Sequence, residues 1–134
     1  MIFIDTNYFV RFLLKDLTVQ YKAARNLFEA GAKGDKILFT STIVIFEIYW
    51  LFSSFYQKTK PEVVDILRKT LSLSFIEITE RKIIEKAVEI FESSNLDLED
   101  SYNIAYSVEK KAEHFLTFDR RLDNFLKKNK FERT

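Results

Sequence analysis

Four acidic residues stand where carboxylates could do chemistry, each near the end of a predicted strand or the start of a predicted helix. Asp5 ends the first apolar run, Glu47 lies one turn into an apolar helix, Asp100 falls in the first turn of a later helix, and Asp119 follows another apolar segment. Carboxylate oxygens are hard ligands that suit Mg²⁺ and Mn²⁺. Such ions activate water and stabilise the oxygens of a phosphodiester during in-line attack. The pattern therefore predicts metal-dependent phosphodiester hydrolysis.

Each acid also has a purely structural interpretation. Asp5 could cap a helix, and Asp119 could belong to a turn. Asp97 and Asp100 have the spacing of an N-cap residue and an N3 residue, and we expect Asp97 to be a cap rather than a ligand. Glu47 is harder to explain in this way, because it lies among apolar residues and most helix orientations would bury it at a cost of several kcal/mol. A metal site or a buried arginine partner would account for it.

The elements that must position these acids alternate between short strands and helices. Apolar runs predict strands near residues 2–4, 37–40, 75–78 and 114–118, with a stub of a fifth strand at 131–134. Helical spacing predicts helices near residues 8–15, 18–31, 43–56, 61–71, 79–94, 98–112 and 122–129. This alternation indicates an α/β fold, a three-layer α/β/α sandwich with a central parallel sheet of four or five strands, as one domain over residues 1–134. Ligands bind at the carboxyl ends of such strands, where the four acids would meet.

Composition narrows the function further. The chain has 134 residues, 47% of them hydrophobic, and its 21 Lys and Arg nearly balance its 20 Asp and Glu. A net charge of +1 argues against a strongly basic nucleic-acid binder but leaves local patches open. The absence of cysteine excludes disulfides and thiolate metal sites, and favours a reducing compartment, which we expect to be the cytoplasm. No apolar run approaches the length of a membrane span, and Asp5 interrupts any N-terminal leader pattern.

At these residues the sequence resembles the PIN domain family, most closely the single-domain VapC-like toxins of bacterial and archaeal toxin–antitoxin pairs. The resemblance covers essentially the whole chain. It rests on Ile4-Asp5-Thr6-Asn7, Glu47 in an apolar helix, Asp97-Leu98-Glu99-Asp100 before a small-residue helix with Ala105, and Phe115-Leu116-Thr117-Phe118-Asp119. It implies a Mg²⁺- or Mn²⁺-dependent endoribonuclease, with Asp5, Glu47, Asp100 and Asp119 as the catalytic, metal-binding acids.

The resemblance also implies supporting residues and partners. The supporting residues are Thr6, Asn7, Asp97 and Thr117, and the arginines expected at RNA phosphates are Arg11, Arg120 and Arg121. The expected partners are an RNA substrate, an antitoxin protein and a second copy of the chain, with no membrane partner. The aromatic residues of the helix around Trp50 and Phe55 are expected by default to belong to the core, and the resemblance favours part of this helix as a contact surface for a second subunit or an antitoxin peptide.

Alternatives remain open at this stage. The same chemistry could serve RNA maturation or decay, and a non-catalytic PIN-fold binding module would need neither metal nor all four acids. An aspartate after the first strand also occurs in haloacid dehalogenase phosphotransferases and in receiver domains. The former need a second aspartate two residues on, where this chain has Asn7. The latter need an acidic pair and a later lysine that we cannot place.

Overall fold

Apolar runs in the first half of the chain form a parallel sheet. Its strands are β1 (Ile2–Phe3), β2 (Leu38–Thr40) and β3 (Ile76–Ile78), in that order across the sheet. Residues 2, 38 and 76 lie side by side in register. Because helices connect each pair of parallel neighbours, the predicted α/β class with a parallel sheet is confirmed.

The computed structural model describes residues 1–129, which belong to two compact units, Met1–Arg81 and a second that begins at Lys82. The helices of the first unit are α1 (Thr6–Leu14), α2 (Thr18–Ala32), α3 (Thr42–Trp50) with a π-helical segment (Leu51–Phe55) after it, and α4 (Lys60–Leu71). They are followed by α5 (Arg81–Ser93), α6 (Leu98–Glu109) and α7 (Arg120–Lys128). None of these helices is long and apolar enough to span a bilayer. A single domain and a three-layer arrangement stay predictions.

The predicted fourth strand is wrong, since residues 114–118 form no strand in the described part of the chain. Leu116 and Phe118 are fully exposed. A strand inside a parallel sheet has both faces covered and a hydrogen-bonded strand on each side. The apolar side chains of residues 114–118 suggested a strand, but they do not specify which strand it would pair with. The described sheet therefore has three strands rather than four or five. The predicted stub at 131–134 lies outside the described residues.

The core of the first unit packs α1 and α2 onto the sheet. The Phe28 ring of α2 lies 5.5 Å from that of Phe9 in α1 and 6.1 Å from that of Phe75 before β3. Gly31 brings α2 so close to β2 that a Cβ there would lie 2.5 Å from Leu38 Cδ1. Glycine at this position therefore sets the distance between the helix and the sheet.

Side-chain caps fix several helix starts near the places that the sequence predicts. Ser41 Oγ accepts a hydrogen bond from Val44 N at 3.3 Å at the start of α3. Thr59 and Glu62 form a capping box around α4, whose first turn contains Pro61. The predicted helix 43–56 forms as α3 and the π-helical segment.

The second unit has its own apolar cluster, which holds α6 and α7 together. Its buried members are Leu96, Ile104, Leu122 and Leu126, with Ile90, Phe115 and Phe125 packed against them. This cluster positions the start of α6, whose first turn contains Asp100, and the start of α7, which Asp119 caps.

Candidate active site

The first group of predicted site residues lies at the carboxyl end of the sheet in the first unit. Thr40 Oγ1 donates a hydrogen bond to Ile4 O at 2.7 Å and so ties the ends of β1 and β2 together. Asp5 follows as the N-cap of α1, and its Oδ1 accepts a hydrogen bond from Thr6 N at 2.8 Å. The buried Thr6 then donates from Oγ1 to Glu47 Oε1 at 3.1 Å. The structure thus brings Thr6 and Glu47 together at the start of α1.

Glu47 differs from the prediction in its surroundings, because its side chain is exposed. Ile43, Glu47 and Trp50 follow each other at helical spacing on one exposed face of α3. Ile45 and Ile48 on other faces are fully buried. The expectation that Glu47 is buried is therefore wrong, and its role as a metal ligand stays a prediction. The observation that still supports Glu47 as a site residue is the hydrogen bond that it accepts from the Thr6 hydroxyl.

The second group of predicted acids lies at the starts of α6 and α7. Asp97 is the N-cap of α6, as predicted, and its Oδ1 accepts a hydrogen bond from Asp100 N at 2.8 Å. Asp119 is the N-cap of α7, and its Oδ1 accepts from Arg121 N at 2.9 Å. Thr117 Oγ1 in turn accepts a hydrogen bond from Asp119 N at 3.0 Å. Each cap bond uses one oxygen of the carboxylate, so capping and cation binding are compatible.

Asp100 lies in an excess of negative charge. Burial raises the pKa of the Asp100 carboxyl group, the charges of Asp97 and Asp119 raise it further, and Arg121 lowers it. The Arg121 Nη2 atom lies 3.8 Å from Asp100 Oδ2. Burial also raises the pKa of Glu99, where a backbone hydrogen bond acts in the opposite direction. The Arg121 guanidinium therefore opposes the charges of Asp97 and Asp119 at Asp100.

These acids fit a hard divalent cation in donor type and charge. All of them offer oxygen, the ligand that Mg²⁺ and Mn²⁺ prefer, and clustered carboxylates are stabilised by a bound cation. Across residues 1–129 we find no group of three or more His, Cys, Asp or Glu side chains already placed to hold a metal ion. The fit therefore rests on donor chemistry and on the charge around Asp100.

The three arginines expected at RNA lie in different environments. Arg11 forms an ion pair with Asp16, with Nη1 and Oδ2 2.6 Å apart, near the end of α1. Arg120 and Arg121 are exposed in the first turn of α7, directly after Asp119. Arg120 and Arg121 therefore lie beside Asp119, a member of the second acidic group.

A family model described as the PIN domain matches residues 2–128. The chain belongs to the PIN domain family. The PIN domain is a nuclease fold, and the matched range includes both acidic groups. No curated protein and no solved structure matches the chain. The resemblance is thereby confirmed for the PIN family, and the VapC-like subtype stays a prediction.

Two features of this PIN domain were not predicted from the sequence. The first is Thr40, whose hydroxyl joins the strand ends beneath Asp5. The second is a pair of asparagines, Asn95 and Asn124, which line a groove in the second unit. A helical projection could have found the groove, because Asn124 and Lys128 are four residues apart and so lie on one face of α7.

Proposed function

We propose that this PIN domain is a Mg²⁺- or Mn²⁺-dependent endoribonuclease that hydrolyses RNA phosphodiester bonds in the cytoplasm. The observation that carries the proposal is the match to the PIN family over residues 2–128, which includes three carboxylates, Asp97, Asp100 and Asp119, at the starts of α6 and α7. In a nuclease fold, such an excess of carboxylate charge is well suited to a divalent cation.

The proposed roles follow from the two acidic groups. Asp5 and Asp100 would hold the cation, with Asp119 directly or through water, and Glu47 would complete its ligand set or help to hold a second ion. When bound, the cation supplies a water of lowered pKa and stabilises charge on the phosphodiester oxygens. Thr6 orients Glu47 through the hydroxyl hydrogen bond, which fixes one carboxylate oxygen of Glu47.

Supporting residues act on these acids rather than on the substrate. Asp97 holds the backbone of Asp100 through its cap bond, and Thr117 holds the backbone of Asp119. The contacts of Asp97 and Thr117 would keep Asp100 and Asp119 in place while a charged substrate binds. Asn7 is exposed in the first turn of α1, two residues after Asp5, and is proposed to support the first acidic group.

A cleavage assay with one matched control tests this proposal. Single-stranded and structured RNAs are incubated with Mg²⁺ or Mn²⁺ and with the parent chain, Asp100→Asn or Asp65→Asn. We expect EDTA or Asp100→Asn to lower the rate by about 100-fold or more, since even indirect changes around a metal cost 10–100-fold. Asp65 is exposed on α4 and pairs with Lys69 at 3.0 Å, so Asp65→Asn makes the same chemical change away from the acidic groups of the proposed site and should keep activity. Full activity of Asp100→Asn would contradict the proposed site.

We further propose that the nuclease is the toxin of a toxin–antitoxin pair, which the resemblance to VapC-like toxins supports. Regulated expression of the parent chain in a bacterium should then stop growth, whereas Asp100→Asn should not. Asp65→Asn should stop growth like the parent. Normal growth with an RNA-cleaving parent would instead favour the second candidate, a role in RNA maturation or decay.

The partners of such a toxin would be an antitoxin protein and a second copy of the chain. Exposed aromatic side chains support this part of the proposal, since Trp50 is 58% exposed and Phe55 is 69% exposed within two turns of each other. The molar mass from light scattering should be twice that of one chain, and Trp50→Ser should lower it to one chain. Val19→Ser, at an exposed apolar residue of α2, is the control. An unchanged mass for Trp50→Ser would argue against this surface.

A further inference from the structure

The second unit contains a groove between the end of α5 and one face of α7. Its volume is about 600 Å³, within the range of roughly 300–1,000 Å³ that ligand sites occupy. Polar and charged side chains line most of it, among them Asn95, Arg121, Asn124 and Lys128, and Phe125 adds an aromatic ring. The groove is therefore suited to a polar ligand rather than to an apolar one.

Two amide side chains in the groove are available to a ligand. Asn95 and Asn124 are both exposed, and within residues 1–129 neither side chain has a hydrogen-bond partner. Asn129 differs, because its Nδ2 donates to Phe125 O at 2.9 Å. An amide offers two donors and one acceptor, the combination that reads the hydrogen-bonding edge of a nucleobase.

An aromatic ring lies beside these amides. Phe125 is half-buried and packs against the apolar cluster that contains Leu122 and Leu126. Its exposed part lines the groove, while its buried part holds the ring in place. A fixed ring next to free amides can stack on a base whose edge is hydrogen-bonded at the same time.

Cations occur at both ends of the groove. Arg121 lines it and also lies 3.8 Å from Asp100, so it connects the groove to the second acidic group. Lys128 lies seven residues along α7, a rise of roughly 10.5 Å. The neighbouring Lys127 pairs with Asp123 at 3.0 Å and does not line the groove. Two cations flanking a ring and two amides match the order of phosphate, base and phosphate in a single RNA strand.

We propose that this groove binds one unpaired RNA nucleotide next to the phosphate that is cleaved. Phe125 stacks on the base, Asn95 and Asn124 read its edge, and Arg121 and Lys128 contact the phosphates on either side. This inference rests on the proposed nuclease function and extends it, because it assigns the base preference of the enzyme to the two asparagines.

Binding can be measured without cleavage by working in EDTA. The anisotropy of fluorescently labelled oligo-A, oligo-C, oligo-G and oligo-U is followed with the full chain and with Asn95→Ala/Asn124→Ala. We expect the double variant to bind the preferred homopolymer about tenfold more weakly and the others almost unchanged, since one good base contact is worth about that much. Asn26→Ala, at an exposed asparagine of α2, should bind like the parent.

The charge and the ring give two further readouts. Lys128→Ala should weaken all four homopolymers alike and reduce the slope of log affinity against log salt by about 0.7. Lys127→Ala should leave that slope unchanged. Phe125→Leu keeps an apolar side chain on the cluster but removes the ring, so it should lower affinity for every base by about fivefold or more.

Several outcomes would overturn the groove as an RNA site. One is that the parent binds none of the four RNAs, and another is that the groove variants bind as tightly as their controls. A third comes from a competition experiment, in which a free nucleoside monophosphate displaces the labelled RNA as well as unlabelled oligomers do. Metal-dependent cleavage with unchanged binding by the groove variants would refute only the groove. Lost binding by these variants without any metal-dependent cleavage would support the groove and refute the proposed nuclease.

Discussion

Individual acids of the proposed site also cap helices, and the two roles can be separated by substitution. Asp119 Oδ1 accepts hydrogen bonds from Arg121 N and Leu122 N at the start of α7. Asparagine caps a helix about as well as aspartate, whereas alanine cannot accept these bonds. Neither replacement carries the charge that a cation needs.

We therefore expect Asp119→Asn and Asp119→Ala to differ in stability but not in activity. Asp119→Asn should leave the free energy of unfolding within about 0.5 kcal/mol of the parent, and Asp119→Ala should lower it by about 1 kcal/mol. Both should lose RNA cleavage. Urea denaturation and the cleavage assay measure the two effects, and parent-like cleavage by Asp119→Asn would mean that Asp119 is only a cap.

At this scale the sequence identified the candidate acids but not all of their surroundings. Asp97 could be predicted as a cap because the N-cap to N3 spacing is local. The exposure of Glu47 could not be predicted, because α3 carries apolar residues on every face and its sequence does not show which side faces the core. The exposed position of Ile43 on the same face shows that apolar type alone did not identify burial in this helix.

Among the elements, α2 and β2 illustrate how one missing side chain controls packing. An alanine Cβ at position 31 would lie 2.5 Å from Leu38 Cδ1 and 3.1 Å from Phe75 Cδ2. Leu38 is fully buried, so it cannot move away into solvent. The overlap should outweigh the gain of about 1 kcal/mol that alanine brings to a helix.

We expect Gly31→Ala to lower the free energy of unfolding by about 1–3 kcal/mol. In a Leu38→Val background, which lacks the overlapping methyl group, the same change should cost less. A double-mutant cycle by urea denaturation measures the difference. Additive effects of the two substitutions would show that Leu38 does not limit the approach of α2 to β2.

Helices were easier to predict than strands in this chain. Local signals mark helix starts, such as the Ser41 cap and the Thr59, Pro61 and Glu62 group. Residues 114–118 read as a strand because they are apolar, yet a strand needs a hydrogen-bonded neighbour that no local pattern specifies. The three described strands were predicted near their observed positions, and the number of strands was not.

For the whole molecule, a near-zero net charge conceals an uneven distribution. The 21 basic residues nearly cancel the 20 acidic ones, but at Asp100 the charges of Asp97 and Asp119 add to that of its own carboxylate, and Arg121 opposes them. The pKa of Asp100 is raised above its ordinary value of 3.8, so the folded chain binds this proton more tightly than the unfolded chain does. Asp100 therefore contributes stability that is full below the ordinary pKa and is lost as the pH rises through the raised one.

At neutral pH the ionised Asp100 consequently destabilises the metal-free fold, and Asp100→Asn should relieve it. We expect Asp100→Asn to raise Tm in EDTA at pH 7, with the difference disappearing as the pH falls below the ordinary pKa of Asp100. Added Mg²⁺ should raise Tm of the parent by mass action and leave that of Asp100→Asn unchanged. Asp65→Asn should follow the parent in both conditions, and calorimetry measures all three proteins. A lower Tm for Asp100→Asn in EDTA at pH 7 would show that Asp100 stabilises the fold and would remove the electrostatic argument for a cation at this position.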